Sequence, residues 1–360
     1  MSLVTAEYIW IGGKDSHNDL RSKTRTIDII GIESFKTLNY TELNEKYLHR
    51  IPQWNFDGSS TEQASSDSDT EVILVPCAIC LDPFRKEDLS LLILCDCYIT
   101  NYDGTLVPHR TNTRNAAVDI FNKYKDKHCW FGLEQEYVLY NPETQRPVGW
   151  PKEGEPEAQG KYYCGNGTDK VFVRSILEKH YQCCRYSKLS ISGFNVEVMP
   201  GQYEFQIGPV EGVSAADQLI LARYIILRIC EDEKLDVCYN PKPLMGNWNG
   251  SGLHHNMSTK EMRSTNGYDI ILKAIEKLRH KHKEHMEVYG KDNDKRLTGK
   301  HETASMNNFS WGVGTRNTSI RIPNTTKFDK KGYFEDRRPA ANCDPYLSTS
   351  KLLETSVSNN

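Results

Sequence analysis

The chain has 360 residues, with 45 Lys and Arg against 48 Asp and Glu, a net charge of -3 and eleven cysteines. That length allows about two domains and a substantial core, while the near-neutral balance gives no global field to hold nucleic acid or an anionic membrane. No apolar run approaches the ~18 residues of a spanning helix, and MSLVTAEYIW has neither a basic leader nor a long apolar stretch, so a cytoplasmic protein with reduced thiols is expected.

Strand-like runs open the chain: AEYIWIGG (6–13), EVILVPC (71–77) and LSLLILCDCYI (89–99), with little helix between them. They predict a small sheet-rich domain over residues 1–104. Cys77, Cys80, Cys95 and Cys97 lie inside these apolar runs, and the second pair has one spacer residue where zinc sites use two to four, so they read as core thiols. TNYDGTLVPHRTN (100–112) is rich in turn formers and marks a boundary. Beyond it, helices predicted over 113–127, 171–186, 214–233 and 268–289 alternate with strands WFGLEQEYVLY, FNVEVMP, QYEFQIG, TSIRIP and GYFEDRR. The second domain, 112–360, is therefore α+β with antiparallel character.

The acidic residues of those strands carry the functional signal. In WFGLEQEYVLY the period-2 rule places Glu134 and Glu136 on one face and Phe131, Leu133, Tyr137 and Leu139 on the other. A hairpin turning at Pro200-Gly201 would set Glu197 opposite Glu204, and like charges so opposed are destabilising. Glu335 adds a third acid in a buriable strand. Buried unpaired carboxylates cost several kcal/mol each, so such a cluster requires a cation. All-oxygen glutamate ligands select a hard divalent ion, Mg²⁺ or Mn²⁺, and five of them suggest more than one.

Arg296, Arg316, Arg321, Arg337 and Arg338 supply fork donors suited to carboxylate or phosphate. Ile320 and Ile322 would enter a core and leave Arg321 on the opposite face. Arginines beside metal ligands point to a phosphoanion substrate, although GNGTDK (165–170) is too incomplete for a P-loop. The glycine-rich GNWNGSGLHHNMST (246–259) allows close backbone approach to a ligand and offers a histidine to the acids. HKHKEH (280–285) reads as a solvated helix face.

WNFDGSS (54–60), WFGLEQEY (130–137), EVMPGQYEFQIGP (197–209), NWNGSGLHHN (247–256), RLTGKHETAS (296–305), SIRIP (319–323) and GYFEDRRP (332–339), in this order, resemble glutamine synthetase of the eukaryotic type. The resemblance implies an N-terminal β-grasp-like domain and a catalytic domain on a curved, largely antiparallel sheet. It implies ATP-dependent ligation of ammonia to L-glutamate through γ-glutamyl phosphate.

By that resemblance Glu134, His254 and Glu335 would hold one ion, and Glu136, Glu197 and Glu204 another. Arg316 and Arg321 would contact the phosphates. Asn249, Gly250, Arg296 and Arg337 would orient glutamate. The nucleotide would lie near Trp130, Asn256, Ser258, Tyr333 and the strand Glu204, Phe205, Gln206, Ile207, Gly208 and Pro209. Asp57 and Glu302 would bind ammonium and accept its proton. A homo-oligomer, a decamer of two pentameric rings with sites between subunits, is implied too, with neither nucleic acid nor membrane as partner. A ligase for a larger amine and a non-catalytic ring-forming relative are the alternatives. Tyr203, His255 and Gly314-Thr315 depart from the family's usual tryptophan, threonine and Ala-Asn, and the segment 33–50 is longer than usual.

Overall fold

The computed structural model describes residues 3–14, 19–29, 35–67 and 69–358. It resolves into two compact units, one formed by residues up to Ala116 together with Gln182–Leu189 and Ile220–Ile225, the other by the remainder.

The first unit carries β1 (Leu3–Ile11), β2 (Leu20–Asp28), α1 (Tyr40–Tyr47), β3 (Trp54–Asp57), β4 (Glu71–Leu81), β5 (Ser90–Thr100) and β6 (Leu106–Pro108). Its sheet runs β2-β1-β5-β4-β3, with β6 on β5; β1 and β5 are parallel and the other pairs antiparallel. Val4, Ala6, Tyr8 and Trp10 of β1 pack with Leu91, Ile93, Cys95 and Cys97 of β5, so Cys95 and Cys97 serve as apolar core groups. All eleven cysteines are free.

Helix α1 was not legible as such. Asn39 caps it, accepting from the Glu42 amide at 3.0 Å while Glu42 accepts from the Asn39 amide at 2.9 Å, a reciprocal box. The helix lies on β4, where the Asn44 amide bonds both backbone groups of Ile79 at 2.8 Å. Of the long segment 33–50, residues 33 and 34 lie outside the described residues.

After α2 (Thr113–Lys123) come β7 (Trp130–Asn141), β8 (Arg146–Pro147), α3 (Arg174–Tyr186), β9 (Ile191–Val196), β10 (Gln202–Glu211), α4 (Ser214–Glu233), β11 (Asp236–Cys238) and β12 (Leu253–Ser258). Then follow α5 (Gly267–His280), α6 (His282–Val288), β13 (Trp311–Val313), β14 (Ile320–Ile322), α7 (Asn324–Asp329), β15 (Phe334–Asp336) and α8 (Pro345–Val357). The sheet of the second unit runs β13-β14-β15-β12-β7-β10-β9, with β8 and β11 also on β7. Only β13 and β14 are parallel among these pairs. The architecture is mixed α/β, as expected.

Three expectations are corrected. The hairpin register differs: the Glu197 amide donates to Gln202 O at 2.9 Å, so Tyr203 opposes Val196 and Glu204 opposes Asn195, not Glu197. Val198 and Met199 enter the connection because Met199 is buried against Val138 and Trp248, which draws the chain inward before the Pro200-Gly201 corner. The helix expected over 268–289 breaks at Lys281 into α5 and α6. His282 and His285 are not solvated: His282 bonds Met306 O at 2.7 Å, and His285 lies between Tyr289 and Thr355 at 2.7 and 2.9 Å.

Candidate active site

The central strand β7 alternates as predicted. Phe131, Leu133, Gln135 and Tyr137 are buried on one face, and Glu134 and Glu136 share the other. The two flanking strands complete that face. On one side Glu204 of β10 stands opposite Glu136, and Gln206 opposite Glu134. On the other, His254 of β12 stands opposite Glu134. Residues 253–258 of the glycine-rich run thus form a strand, where the sequence pattern predicts no element. One strand further, β15 aligns Glu335 with Asn256, and β14 aligns Arg321 with Glu335.

This register gathers two donor groups. Glu134, His254 and Glu335 bring ligand atoms within 4.8 Å of one another, as do Glu136, Glu204 and His254. His254 Nδ1 is 3.3 Å from Glu134 Oε2 and 3.4 Å from Glu335 Oε1. Glu197 is outside the second trio; Asn195 Nδ2 donates to it at 2.8 Å.

Burial pushes the carboxyls of Glu136, Glu197 and Glu204 up, and neighbouring carboxylates add to it, Glu134 at Glu136 and Glu204, and Glu136 at Glu197; Glu197 reaches about 8. Burial, reinforced by Arg337, drives His254 well below the usual imidazole range, so it is neutral and able to ligate. Among the described residues no Lys or Arg forms an ion pair with Glu136, Glu197 or Glu204. Desolvated oxygens without a close ion pair, next to a neutral imidazole, fit hard divalent ions, although Arg296 and Arg337 exert a longer-range attraction on Glu136.

The arginines occupy the rim. Glu335 accepts from Arg321 Nη1 at 2.9 Å and Arg337 Nη1 at 2.6 Å. Arg296, wholly buried, donates to His254 Nε2 at 3.2 Å and to the carbonyls of Arg337 and Arg338. Burial lowers its guanidinium to about 10. Arg296 passes so close to Gly250 that a Cβ there would meet its Cγ at 2.8 Å. Asn249 is held through its amide and side chain by Gln159, 2.8 Å each. Arg316 reaches Glu302 and Tyr163 at 3.4 Å, and Arg337 donates to Arg316 O at 3.1 Å, which joins these predicted residues into one rim. Asp57 belongs to the first unit, where its Oδ1 accepts from the Ser59 amide and hydroxyl at 2.9 and 2.7 Å.

Next to Glu134 opens a cavity of about 430 Å³. Trp130, Gln206, Ile207, Gly208, Pro209, Asn256, Ser258 and Tyr333 line it, whereas Glu204 faces the acids and Phe205 is buried on the opposite face against Tyr137 and His180. Gly208 is required here: at φ +117° its missing Cβ would sit 2.4 Å from Phe131 O. Arg263 was not anticipated. Its guanidinium lies 3.9 Å from the Trp130 ring centre and is fixed by bonds to Ser258 and to His128 O. No spacing in the sequence links residue 263 to residue 130; the β7–β12 pairing does.

An acid-lined sheet face with two candidate metal-binding groups, a neutral histidine, a rim of arginines and an adjoining aromatic cavity make up the candidate site. Comparison with known proteins assigns the family. Residues 110–270 match the family model described as glutamine synthetase, catalytic domain. The chain is 51% identical to a cytosolic glutamine synthetase isozyme of Pinus sylvestris, over 98% of this chain and 94% of that one. It is 51% identical to cytosolic isozyme 1-5 of Arabidopsis thaliana (98% and 95%) and 48% to a glutamine synthetase of Yarrowia lipolytica (98% and 90%). The chain belongs to the glutamine synthetase family.

Proposed function

We propose that the chain joins ammonia to L-glutamate at the expense of ATP, giving L-glutamine, ADP and phosphate. The observation that carries this reading is the convergence of Glu134, His254 and Glu335 next to Glu136 and Glu204, in a chain about half identical to glutamine synthetases over nearly its whole length. A carboxylate is a poor electrophile, so its γ-oxygen must first attack the γ-phosphorus of ATP, releasing ADP and leaving an acyl phosphate. Ammonia then attacks the acyl carbon and phosphate departs.

Glu134, His254 and Glu335 would hold one ion, Mg²⁺ or Mn²⁺, and Glu136, Glu197 and Glu204 a second. Bound divalent ions would neutralise phosphoryl charge that otherwise repels the carboxylate. Arg316 and Arg321 face the phosphates, and their fork donors suit the charge that spreads over the transferring oxygens. Arg296 and Arg337, with Asn249 and Gly250, orient glutamate. Trp130 and Tyr333 flank the base, and Asn256, Ser258 and the β10 segment from Gln206 to Pro209 frame the nucleotide. Ammonium must lose a proton before it attacks, and carboxylates at Glu302 and Asp57 bind the cation and take that proton. Asp57 is supplied by a neighbouring copy in a decamer of two pentameric rings. The likeness to cytosolic isozymes supports a cytoplasmic location, and no helix among the described residues is long and apolar enough to cross a membrane.

The test uses glutamate, ATP and hydroxylamine with EDTA-treated protein. γ-Glutamyl hydroxamate should form only when Mg²⁺ or Mn²⁺ is restored. No product in the presence of metal would overturn the reading, and product only with a bulkier amine would redirect it.

A further inference from the structure

The corrected hairpin register places two neutral amides between two acids. Asn195 opposes Glu204 across β9 and β10, and Gly193 opposes Gln206. Asn195 Nδ2 donates to Glu197 Oε1 at 2.8 Å, and its Oδ1 accepts from Gln206 Nε2 at 2.7 Å. The second proton of Gln206 Nε2 goes to Glu204 Oε1. The chain Glu197, Asn195, Gln206, Glu204 is therefore continuous, and both protons of the Gln206 amide are used.

Each amide has one workable orientation. Turning Gln206 over would aim its oxygen at two acceptors and leave both without a donor. Gly193 keeps that oxygen in place: a Cβ on residue 193 would lie 2.7 Å from Gln206 Oε1, so the side chain rests over bare backbone.

We infer that Asn195 and Gln206 are positioning residues that aim the carboxylates of Glu197 and Glu204 at a shared divalent ion, with Gly193 as the seat for the Gln206 amide. This rests on the reading of Glu136, Glu197 and Glu204 as metal ligands. The choice of amides has a physical reason. A Lys or Arg in either place would fix the acids equally well but would cancel the charge that draws the ion, whereas an amide fixes one oxygen and leaves the carboxylate charge intact. Groups that orient ligands in this way are worth about 10- to 100-fold in metal affinity. Glu134 and Glu335, the acids of the other donor group, have their own supports in Asn256, Arg321 and Arg337, so the bridge touches no acid of that group.

The experiment titrates the intact, metal-free protein with Mn²⁺ alone and follows free Mn²⁺ by electron paramagnetic resonance. Glu335→Ala, which disables the other donor group, assigns the two classes of site. Asn195→Ala, Gln206→Ala and Gly193→Ala should each weaken the class containing Glu197 and Glu204 by about tenfold or more, leave the other class unchanged and leave the metal-free melting temperature unchanged. Wild-type affinity at both classes in all three variants would overturn the inference. So would equal weakening of both classes with a lowered melting temperature, which is the signature of packing alone. If the wild-type protein binds no Mn²⁺, the metal reading itself falls, an outcome distinct from either of these.

Discussion

Glu204 of β10 stands directly across from Glu136 of β7, a buried and a half-buried carboxylate in register on neighbouring strands with no ion pair to a Lys or Arg among the described residues. Such an arrangement stabilises nothing until a cation arrives. Glu204→Gln should therefore raise the stability of the metal-free protein, on the order of 1 kcal/mol, while removing the stabilisation that Mn²⁺ gives the wild type. Melting curves in EDTA and in Mn²⁺ check both halves; a variant less stable in EDTA would contradict the electrostatic account.

Glu335 holds Arg321 and Arg337 in addition to facing His254. Glu335→Ala should lower turnover by more than about a hundredfold, beyond the usual cost of a merely orienting group, and leave the particle size in solution unchanged. Hydroxamate formation and sedimentation measure the two. Retained turnover would remove Glu335 from the site.

Arg263 over Trp130 stiffens one wall of the cavity. Arg263→Ala should raise the KM for ATP about tenfold, from a cation–π contact worth about 1 kcal/mol and three lost hydrogen bonds, with the KM for glutamate and kcat near wild type. An equal rise in both KM values would show a general loosening instead.

Glu7, far outside the acid cluster in sequence, gives the pH prediction. Burial alone would push its carboxyl up, but the hydroxyls of Thr24, Ser22 and Tyr224 and the Arg85 guanidinium outweigh burial and bring it from 4.5 to about 2. The folded state thus prefers the ionised form. Its stabilisation is complete above about pH 4.5 and fades as pH falls toward 2. Glu7→Gln should cost about 1–3 kcal/mol at pH 7, and the gap between variant and wild-type melting temperatures should close through that acid window. A gap independent of pH would refute the ionised network.

Much of the site was legible because strands alternate. Glu134 and Glu136 separate from Phe131 and Leu133 by parity alone, as Arg321 does from Ile320 and Ile322. Where the reading failed, distant contacts decided. The hairpin register follows Met199 into a pocket made by Val138 and Trp248, which no local turn rule contains. His282 and His285 resemble an exposed basic face until Met306 and Thr355 supply partners from other segments. Strand β12 lay hidden in a run rich in glycine and polar residues, since its outward residues are site residues and its pattern is not apolar. Arg263 reaches Trp130 only through the sheet.

Strand β12 also carries two histidines side by side with opposite surroundings. His254 looks toward the acids, while His255 is sealed in the core, bonded to Leu253 O and Ser348 Oγ at 2.8 and 2.9 Å. Deleting one residue ahead of this strand would bring the second imidazole to the first one's place, an innocuous exchange on paper. The same slip would carry Asn256 away from Glu134 and press polar groups into a greasy interior. A change in the length of β12 therefore disturbs the site and the core together.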